Sequence, residues 1–345
     1  MANWKMSDAL SFDDVLLEPQ YSDIRSRKEA NLSVELGREE IVGLPIVTAP
    51  MDTIVSVDMA VAVAKAGGLP IFHRYNSIEQ QTEMLALAKR KTHGVPVIGA
   101  AIGITGDYFE RAKSLSQYRV DLLCLDVAHG HHKLMEEAIK RIKDEWGEQI
   151  HLMAGNVATL EAFNDLADWG ADSIRCGIGG GSICSTRIQT GHGVPTFQTI
   201  LDIAQTDRKA LIIADGGIKN SGDIVKSLAA GADLAMVGSL LAGTDQTPSE
   251  KVKVDGKIYK AYRGMASKEA QNDWRGKVSS IEGVASMVPY KGDVCGVLSE
   301  LEVGIRSGLS YSGARNIAEL QARAIFIKQT AAGQVESSTH IKRIA

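Results

Sequence analysis

Eight short apolar runs, each followed by an amphipathic stretch, constrain this chain more than any other feature of its sequence. The runs are Ile46–Ala49, Pro70–His73, Val97–Ile102, Leu122–Val127, His151–Asn156, Ser173–Ile178, Leu211–Asp215 and Leu234–Gly238. Between them lie helical patterns such as Ser56–Ala66, Ile78–Lys91, Lys133–Trp146, Leu160–Trp169, Val194–Gln205 and Ser221–Ala230, the last headed by Ser221 as an N-cap. Strands alternating with helices make right-handed βαβ units and a parallel sheet buried on both faces. Eight units predict an α/β fold, a closed (β/α)8 TIM barrel; an open doubly wound sheet is the alternative. The chain has 345 residues, room for a barrel of ~250 residues with insertions. A single barrel domain is therefore expected over 1–345.

In such a barrel, catalytic residues sit at the C-terminal ends of the strands, with phosphate held after the seventh and eighth. Here those ends read Ala49-Pro50-Met51-Asp52, His73-Arg74-Tyr75, Ile102-Gly103, Asp126-Val127-Ala128-His129-Gly130-His131, Gly155-Asn156-Val157, the turn from Gly177 to Arg187, Asp215-Gly216-Gly217-Ile218 and Gly238-Ser239. Polar residues and glycines gather there more densely than anywhere else in the chain.

The turn after the sixth run, Gly177-Ile178-Gly179-Gly180-Gly181-Ser182-Ile183-Cys184-Ser185-Thr186-Arg187, carries the chemistry. Three successive glycines let the backbone adopt positive φ and clear space for a ligand. Ser182 and free backbone N–H groups suit an anion, and Cys184 suits a nucleophile whose thiolate those N–H groups favour. Thr186 is close enough to pass a proton if a carboxylate activates it, and Glu282 is the candidate. The bland readings are a core cysteine and a solvated surface glutamate. Backbone donors at Gly216-Gly217 and Gly238-Ser239, joined by Ser182, form a phosphate cradle that needs no basic residue. Taken alone, Gly217 is equally a tight turn. Asp215 is placed to accept from ribose hydroxyls. A nucleoside monophosphate with its base over Cys184 is the ligand this pattern suggests.

Two segments fall outside the eight units. Phe12–Pro19 reads as an ordered arm followed by a polar turn over Ser22–Glu29. The insertion at 243–292 opens with a hairpin, Lys253–Lys260 around Asp255-Gly256, and turns polar from Ser267 to Ser280, as in a flap. Val303–Gly308 and Asn316–Thr330 read as closing helices. The net charge of −4 is spread along the chain, which gives no footprint for nucleic acid. The four cysteines, Cys124, Cys176, Cys184 and Cys295, have neither metal nor disulfide spacing. No stretch reads as a signal peptide or a membrane span, so a cytoplasmic setting is expected.

At these residues the chain resembles the IMP dehydrogenase/GMP reductase family over nearly all its length. The matching motifs are Phe12-Asp13-Asp14-Val15-Leu16-Leu17, Ala49-Pro50-Met51-Asp52-Thr53, Gly155-Asn156-Val157-Ala158-Thr159, the Cys184 turn, Ala214-Asp215-Gly216-Gly217-Ile218, Val237-Gly238-Ser239-Leu240-Leu241-Ala242-Gly243, Tyr262-Arg263-Gly264-Met265 and Val288-Pro289-Tyr290-Lys291-Gly292. The resemblance implies a purine 5′-monophosphate substrate, a thioimidate on Cys184 and hydride exchange with a nicotinamide. It implies that Ser182, Asp215, Gly217, Gly238, Ser239, Tyr262 and Gly264 bind the nucleotide, with Met265 against the base. Asp126 and Asn156 would lie near the nicotinamide ribose or the base. Ser26 and Arg27 would meet the cofactor's phosphates, and Arg74 or Arg315 would supply charge for a 2′-phosphate. A K⁺ site is implied at the carbonyls of Gly179, Gly181 and Cys184, shared with Glu336, Ser337 and Ser338 of a neighbour in a homotetramer.

The resemblance covers two activities. The chain passes from Lys89-Arg90-Lys91 through Thr92-His93-Gly94-Val95-Pro96 directly to the third strand, with no regulatory CBS module. Between Tyr262 and Gly292 the flap is short and lacks the Arg-Tyr pair that activates water; Arg275, after Trp274, is the nearest substitute. These features favour an NADPH-dependent GMP reductase. Pro50, Ala128-His129-Gly130, Gly217–Asp223 and the Glu336 tail are dehydrogenase-like, as for an NAD-dependent IMP dehydrogenase. Ser279 stands where reductases carry an arginine, and Gly180 and His192 depart from both patterns. A modified guanine nucleotide as substrate, and a non-catalytic nucleotide sensor on the same barrel, complete the alternatives.

Overall fold

The computed structural model describes residues 8–37, 40–94, 96–278 and 281–337. Val95, Ser279, Ser280 and Ser338, named in the sequence analysis, lie outside them. At the centre are eight parallel strands: β1 (Ile46–Thr48), β2 (Ile71–Phe72), β3 (Gly99–Ile102), β4 (Leu122–Asp126), β5 (His151–Val157), β6 (Ser173–Cys176), β7 (Leu211–Asp215) and β8 (Leu234–Val237). From β2 onward each strand pairs with the next, and β8 returns to pair with β1. A parallel bridge between Val47 and Leu69, just before β2, closes the ring. All eight expected strands are present and the barrel is closed, so the open-sheet alternative falls. Strands β3, β5, β6 and β8 are buried at every position, as a sheet covered on both faces requires.

Helices α1 (Val57–Lys65), α2 (Ile78–Lys91), α3 (Tyr108–Gln117), α4 (Lys133–Trp146) and α5 (Leu160–Trp169) follow the first five strands. Then come α6 (Thr186–Thr190) and α7 (Thr196–Ile203) after β6, and α8 (Ser221–Ala229) after β7. The flap holds α9 (Lys268–Arg275), and α10 (Val294–Tyr311), α11 (Ile317–Arg323) and α12 (Ala331–Glu336) complete the chain. Local chemistry sets the starts: Ser77 and Gln80 form a reciprocal capping box on α2, and the Thr159 hydroxyl accepts from the Ala162 N–H on α5. Ser221 is not the cap of α8. Asn220, extended and accepting from the Asp223 N–H, takes that role, and Ser221 is the first helical residue.

The N-terminal end of the barrel is covered by an antiparallel hairpin, Val34–Gly37 with Glu40–Val42. There the His151 ring, at the start of β5, lies 3.0 Å from the Leu36 carbonyl and 2.8 Å from the Ser173 hydroxyl. Three aspartates repeat one device at this end. Asp121, Asp172 and Asp233 each accept a backbone N–H of the preceding strand's start, from Ile98, Leu152 and Ile212, all at 2.7 Å. Lys89 neutralises Asp121 and Lys143 neutralises Asp172. Among the described residues no cation pairs with Asp233.

The segments outside the barrel correct the sequence reading in two places. Asn316–Thr330 is not one helix: α11 ends at Arg323, and Phe326–Lys328 is a strand antiparallel to Val15–Leu17 of the arm. Phe326 meets Phe197 edge-on, and Phe197 meets Phe12 in the same way, so arm and tail share one aromatic seam on α7. The polar stretch from Ser267 contains α9, capped by Ser267 and ended by Gly276 in the left-handed region. The expected hairpin exists as Lys251–Val254 and Lys257–Arg263, turning on Asp255 and Gly256 at φ 48° and 78°. A third strand, Ala285–Pro289, joins it. Ser22–Glu29 contains a short 3₁₀ turn, Arg27–Glu29.

Burial pushes the Asp233 carboxyl up to about 6. The folded protein therefore holds this proton more tightly than the unfolded chain, and stability falls as pH rises from about 4 to about 6 and stays lower above. Asp233→Asn keeps the acceptor and removes the charge. It should raise stability at pH 8 by about 1–3 kcal/mol and change little near pH 4. Urea unfolding at the two pH values checks this; an equal change at both would contradict it.

Candidate active site

The strand ends on the far side of the barrel enclose a cavity of about 430 Å³ lined by all eight expected substrate-binding residues and by Cys184, Thr186 and Glu282. The loop after β6 builds its centre. Gly177 is the position where this loop needs glycine: at φ 145° a Cβ would lie 2.0 Å from the Asp215 carbonyl oxygen. Cys184 is half-buried and bridges antiparallel to Gly283 of the flap, with the Ser185 N–H donating to the Glu282 carbonyl at 2.9 Å. This pairing delivers Glu282. The Cys184 thiol donates to Thr186 Oγ1 at 3.1 Å, and the Thr186 hydroxyl donates to Glu282 Oε2 at 2.9 Å. The three residues proposed as nucleophile and relay, almost a hundred positions apart in the chain, form one hydrogen-bonded line. Cys124 and Cys176 are fully buried, and burial pushes the Cys124 thiol up to about 12. Neither competes as a nucleophile.

The residues expected to hold phosphate, Ser182, Gly217, Gly238, Ser239 and Tyr262, all line this same cavity. Ser182 Oγ and the Tyr262 hydroxyl approach to 3.5 Å. A Cβ on Gly238 would come within 3.1 Å of that hydroxyl, so glycine here avoids a tight contact with it. Tyr262 is 4 % exposed, and burial holds its phenol above the usual range. Ser239 lies beside them, its carbonyl accepting from Lys291 Nζ at 2.7 Å. Met265 lies opposite, its sulfur 3.3 Å from the Asp52 N–H.

The floor of the cavity was not legible in the sequence. Arg175, read as part of an apolar run, is a guanidinium 7 % exposed in the middle of β6. It donates to Asp126 in a short contact, to Asp215 Oδ2 at 3.0 Å, and faces the Cys124 sulfur at 3.7 Å. Burial alone would lower its affinity for the proton, but the Asp126 and Asp215 carboxylates raise it well above the usual arginine range, so it stays charged. Asn156 donates to the same Asp215 oxygen and to the Gly177 carbonyl, both at 2.8 Å. Its own Oδ1 is buried with no partner among the described residues, as expected of an acceptor kept for a ligand. A lone arginine in a buried strand is itself a signal, since such a group requires carboxylates.

Arg74, Tyr75 and Arg275 also line the cavity. Ser26 and Arg27 do not reach the cavity: Ser26 caps the 3₁₀ turn of the arm, which packs on α10 at the barrel's outer wall. Arg315 is engaged with Asp23 there. Glu336 is the last residue of α12 and Ser337 its C-cap, and this helix packs against the arm. Contacts from these residues to a site require a second copy of the chain.

The IMP dehydrogenase / GMP reductase domain model matches residues 9–340. This chain belongs to the IMP dehydrogenase/GMP reductase family. Like its relatives, it is an NAD(P)-dependent oxidoreductase acting on a purine 5′-monophosphate. It is 36% identical over 402 aligned positions to inosine-5′-monophosphate dehydrogenase of Borreliella burgdorferi, covering 99% of this chain and 98% of that one. It is 31% identical over 478 positions to GMP reductase of Leishmania major, covering 97% of each. The crystal structure of Trypanosoma brucei GMP reductase C318A in complex with guanosine 5′-monophosphate matches with a TM-score of 0.91, at 30% identity and 98% coverage of both chains. Both sequence alignments are longer than this chain, and the reductase's is the longer. Extra length in a relative therefore does not mark the dehydrogenase, and the missing module does not separate the two activities.

Replacing the buried cation tests the floor. Arg175→Met should leave Asp126 and Asp215 facing each other and cost about 3 kcal/mol of stability at pH 7. Protonation of the carboxylates should relieve much of that loss near pH 4. An equal loss at both pH values would show that packing, not charge, sets the role of Arg175.

Proposed function

We propose that the protein is a GMP reductase that converts GMP to IMP and ammonia through a covalent adduct on Cys184. The observation that carries this reading is the unbroken line from Cys184 Sγ through Thr186 to Glu282, on a flap without an Arg-Tyr pair among its described residues.

The line accounts for the protons. The Cys184 thiol passes its proton to Thr186, whose own proton moves to Glu282, leaving a thiolate over the purine. The thiolate attacks C2 of guanine, the 2-amino group takes a proton back along the same path and departs as ammonia, and the C2–S thioimidate remains. When bound, NADPH supplies hydride to C2. The C–S bond then breaks and Cys184 leaves as thiolate with IMP. The monophosphate lies in the Ser182, Gly217, Gly238, Ser239 and Tyr262 cradle, and Asp215, already fixed by Arg175 and Asn156, orients the ribose. The unpartnered Asn156 Oδ1 and the acidic Asp126 fit a ribose or carboxamide on the nicotinamide side, and Arg74 fits the cofactor's charge. Backbone carbonyls of Gly179, Gly181 and Cys184 with the Glu336 carboxylate form an all-oxygen donor set that suits K⁺. Glu336 and Ser337 would come from a neighbour, in a homotetramer.

The second reading, IMP dehydrogenase, is favoured by Pro50 and His129-Gly130 and by the dehydrogenase name of the Borreliella relative. Absorbance at the reduced-nicotinamide band separates the two. GMP with NADPH should lose absorbance and release ammonia, while IMP with NAD⁺ and K⁺ should show none of the opposite change. A rise in the second mixture alone would establish the dehydrogenase. Cys184→Ala should abolish turnover and keep nucleotide binding. Glu282→Gln should slow turnover by ~10²-fold or more, with nucleotide affinity nearly unchanged; an undiminished rate would remove Glu282 from the relay.

A further inference from the structure

We infer that Trp274 is the pin that holds the flap helix, and through it Glu282, in register with Thr186. The inference rests on the reading of Cys184–Thr186–Glu282 as the catalytic line, and it concerns a residue that never touches that line.

Helix α9 meets the barrel at its last turn through two adjacent side chains. Trp274 stacks on Tyr75, of the loop after β2, with ring centroids 4.1 Å apart and planes 15° from parallel. The Arg275 guanidinium lies 3.9 Å from the same indole centroid. Two groups that close cannot share one face, so the indole is sandwiched between phenol and guanidinium. Arg74 adds a second cation 5.5 Å from the indole and 5.6 Å from the phenol. One residue earlier, Asp273 pairs with Arg263 at 2.5 Å, and Arg263 pairs with Asp52 of the loop after β1 at 2.6 Å. The C-terminal end of α9 is thus fixed to two barrel loops.

The other end of the helix abuts the catalytic carboxylate. Ser267, the N-cap of α9, receives a hydrogen bond from the Ala270 N–H at 3.2 Å and donates its own N–H to the Gly264 carbonyl at 2.9 Å. The Glu282 N–H donates to the Ala266 carbonyl at 3.3 Å. A Cβ on Gly283 would lie 3.1 Å from the Ser267 N, so helix and turn are in direct contact. An eight-residue helix is a stiff bar of ~12 Å. Fixed at Trp274, it cannot tilt without moving the Glu282–Gly283 turn. Catalysis by the relay needs placement within a fraction of an ångström, which gives the stack a function that its distance from Cys184 conceals. Trp274 is a positioning residue.

The test compares Trp274→Ala with Trp274→Phe in the full-length protein. Trp274→Ala should lower kcat by ~10- to ~100-fold while KM for the purine monophosphate stays within about twofold; Trp274→Phe, which retains a ring against Tyr75, should restore most of the rate. Tyr75→Ala should match Trp274→Ala, and the double variant should be no worse than either alone, because the stack is lost once. Hydrogen exchange read over 264–284 should quicken in Trp274→Ala and Tyr75→Ala and not in Trp274→Phe. That readout needs no turnover, so it separates failure of the pin from failure of the catalytic reading. Unchanged exchange and full kcat in Trp274→Ala would overturn the inference, as would a Phe variant as slow as the Ala variant with wild-type exchange.

Discussion

A buried guanidinium organises the mouth of this barrel. Arg175 projects from the middle of β6 and joins Asp126 at the end of β4 to Asp215 at the end of β7. Through Asp215 it also fixes Asn156 of β5. Four strand ends are held together by one charge cluster under the cavity. Removing such a cation from water costs several kcal/mol unless carboxylates meet it, and here two do. The result is a rigid anionic floor, with one buried Asn156 oxygen that has no partner among the described residues. The cysteine loop then crosses this floor at Gly177, where any Cβ would collide with Asp215.

On that floor the cavity has two kinds of lining. Glycine-rich turns with Ser182 and Tyr262 make one part. Side chains with charge and aromatic surface, Arg74, Tyr75 and Arg275, make another. Cys184 lines the same cavity, and the flap pairs with its loop at Gly283. The active arrangement therefore depends on an insertion rather than on the barrel alone. The ion pairs of Arg263 and the Trp274 stack supply the rigidity that an exposed flap otherwise lacks.

Much of this was legible in the sequence, for identifiable reasons. Strands buried on both faces leave continuous apolar runs, so all eight strands could be read with boundaries near those observed, as could α1, α2, α4, α5, α7 and α8, while α3 was not read. Cys184, Thr186 and Glu282 were legible because their chemistry has no purpose apart from one another. Asn220 was missed as the cap of α8 because Ser221 is an equally good cap by type, and only the backbone conformation decides. The strand Phe326–Lys328 was missed because its partner, Val15–Leu17, lies at the other end of the chain. Helix α9 was missed because its anchor is a few side chains, Asp273 and Trp274, rather than an apolar stripe. Arg175 was missed because a single charge within an apolar run was read with its neighbours instead of against them.

If the protein acts as proposed, Cys184 becomes covalently joined to the purine during turnover. The most direct test is acid-quenching the enzyme in the steady state with GMP and NADPH, then mass analysis of the peptide that contains Cys184. A fraction of that peptide should carry the purine ribotide on sulfur, and that fraction should vanish when nucleotide is withheld. Sustained turnover with the Cys184 peptide wholly unmodified would contradict the proposal.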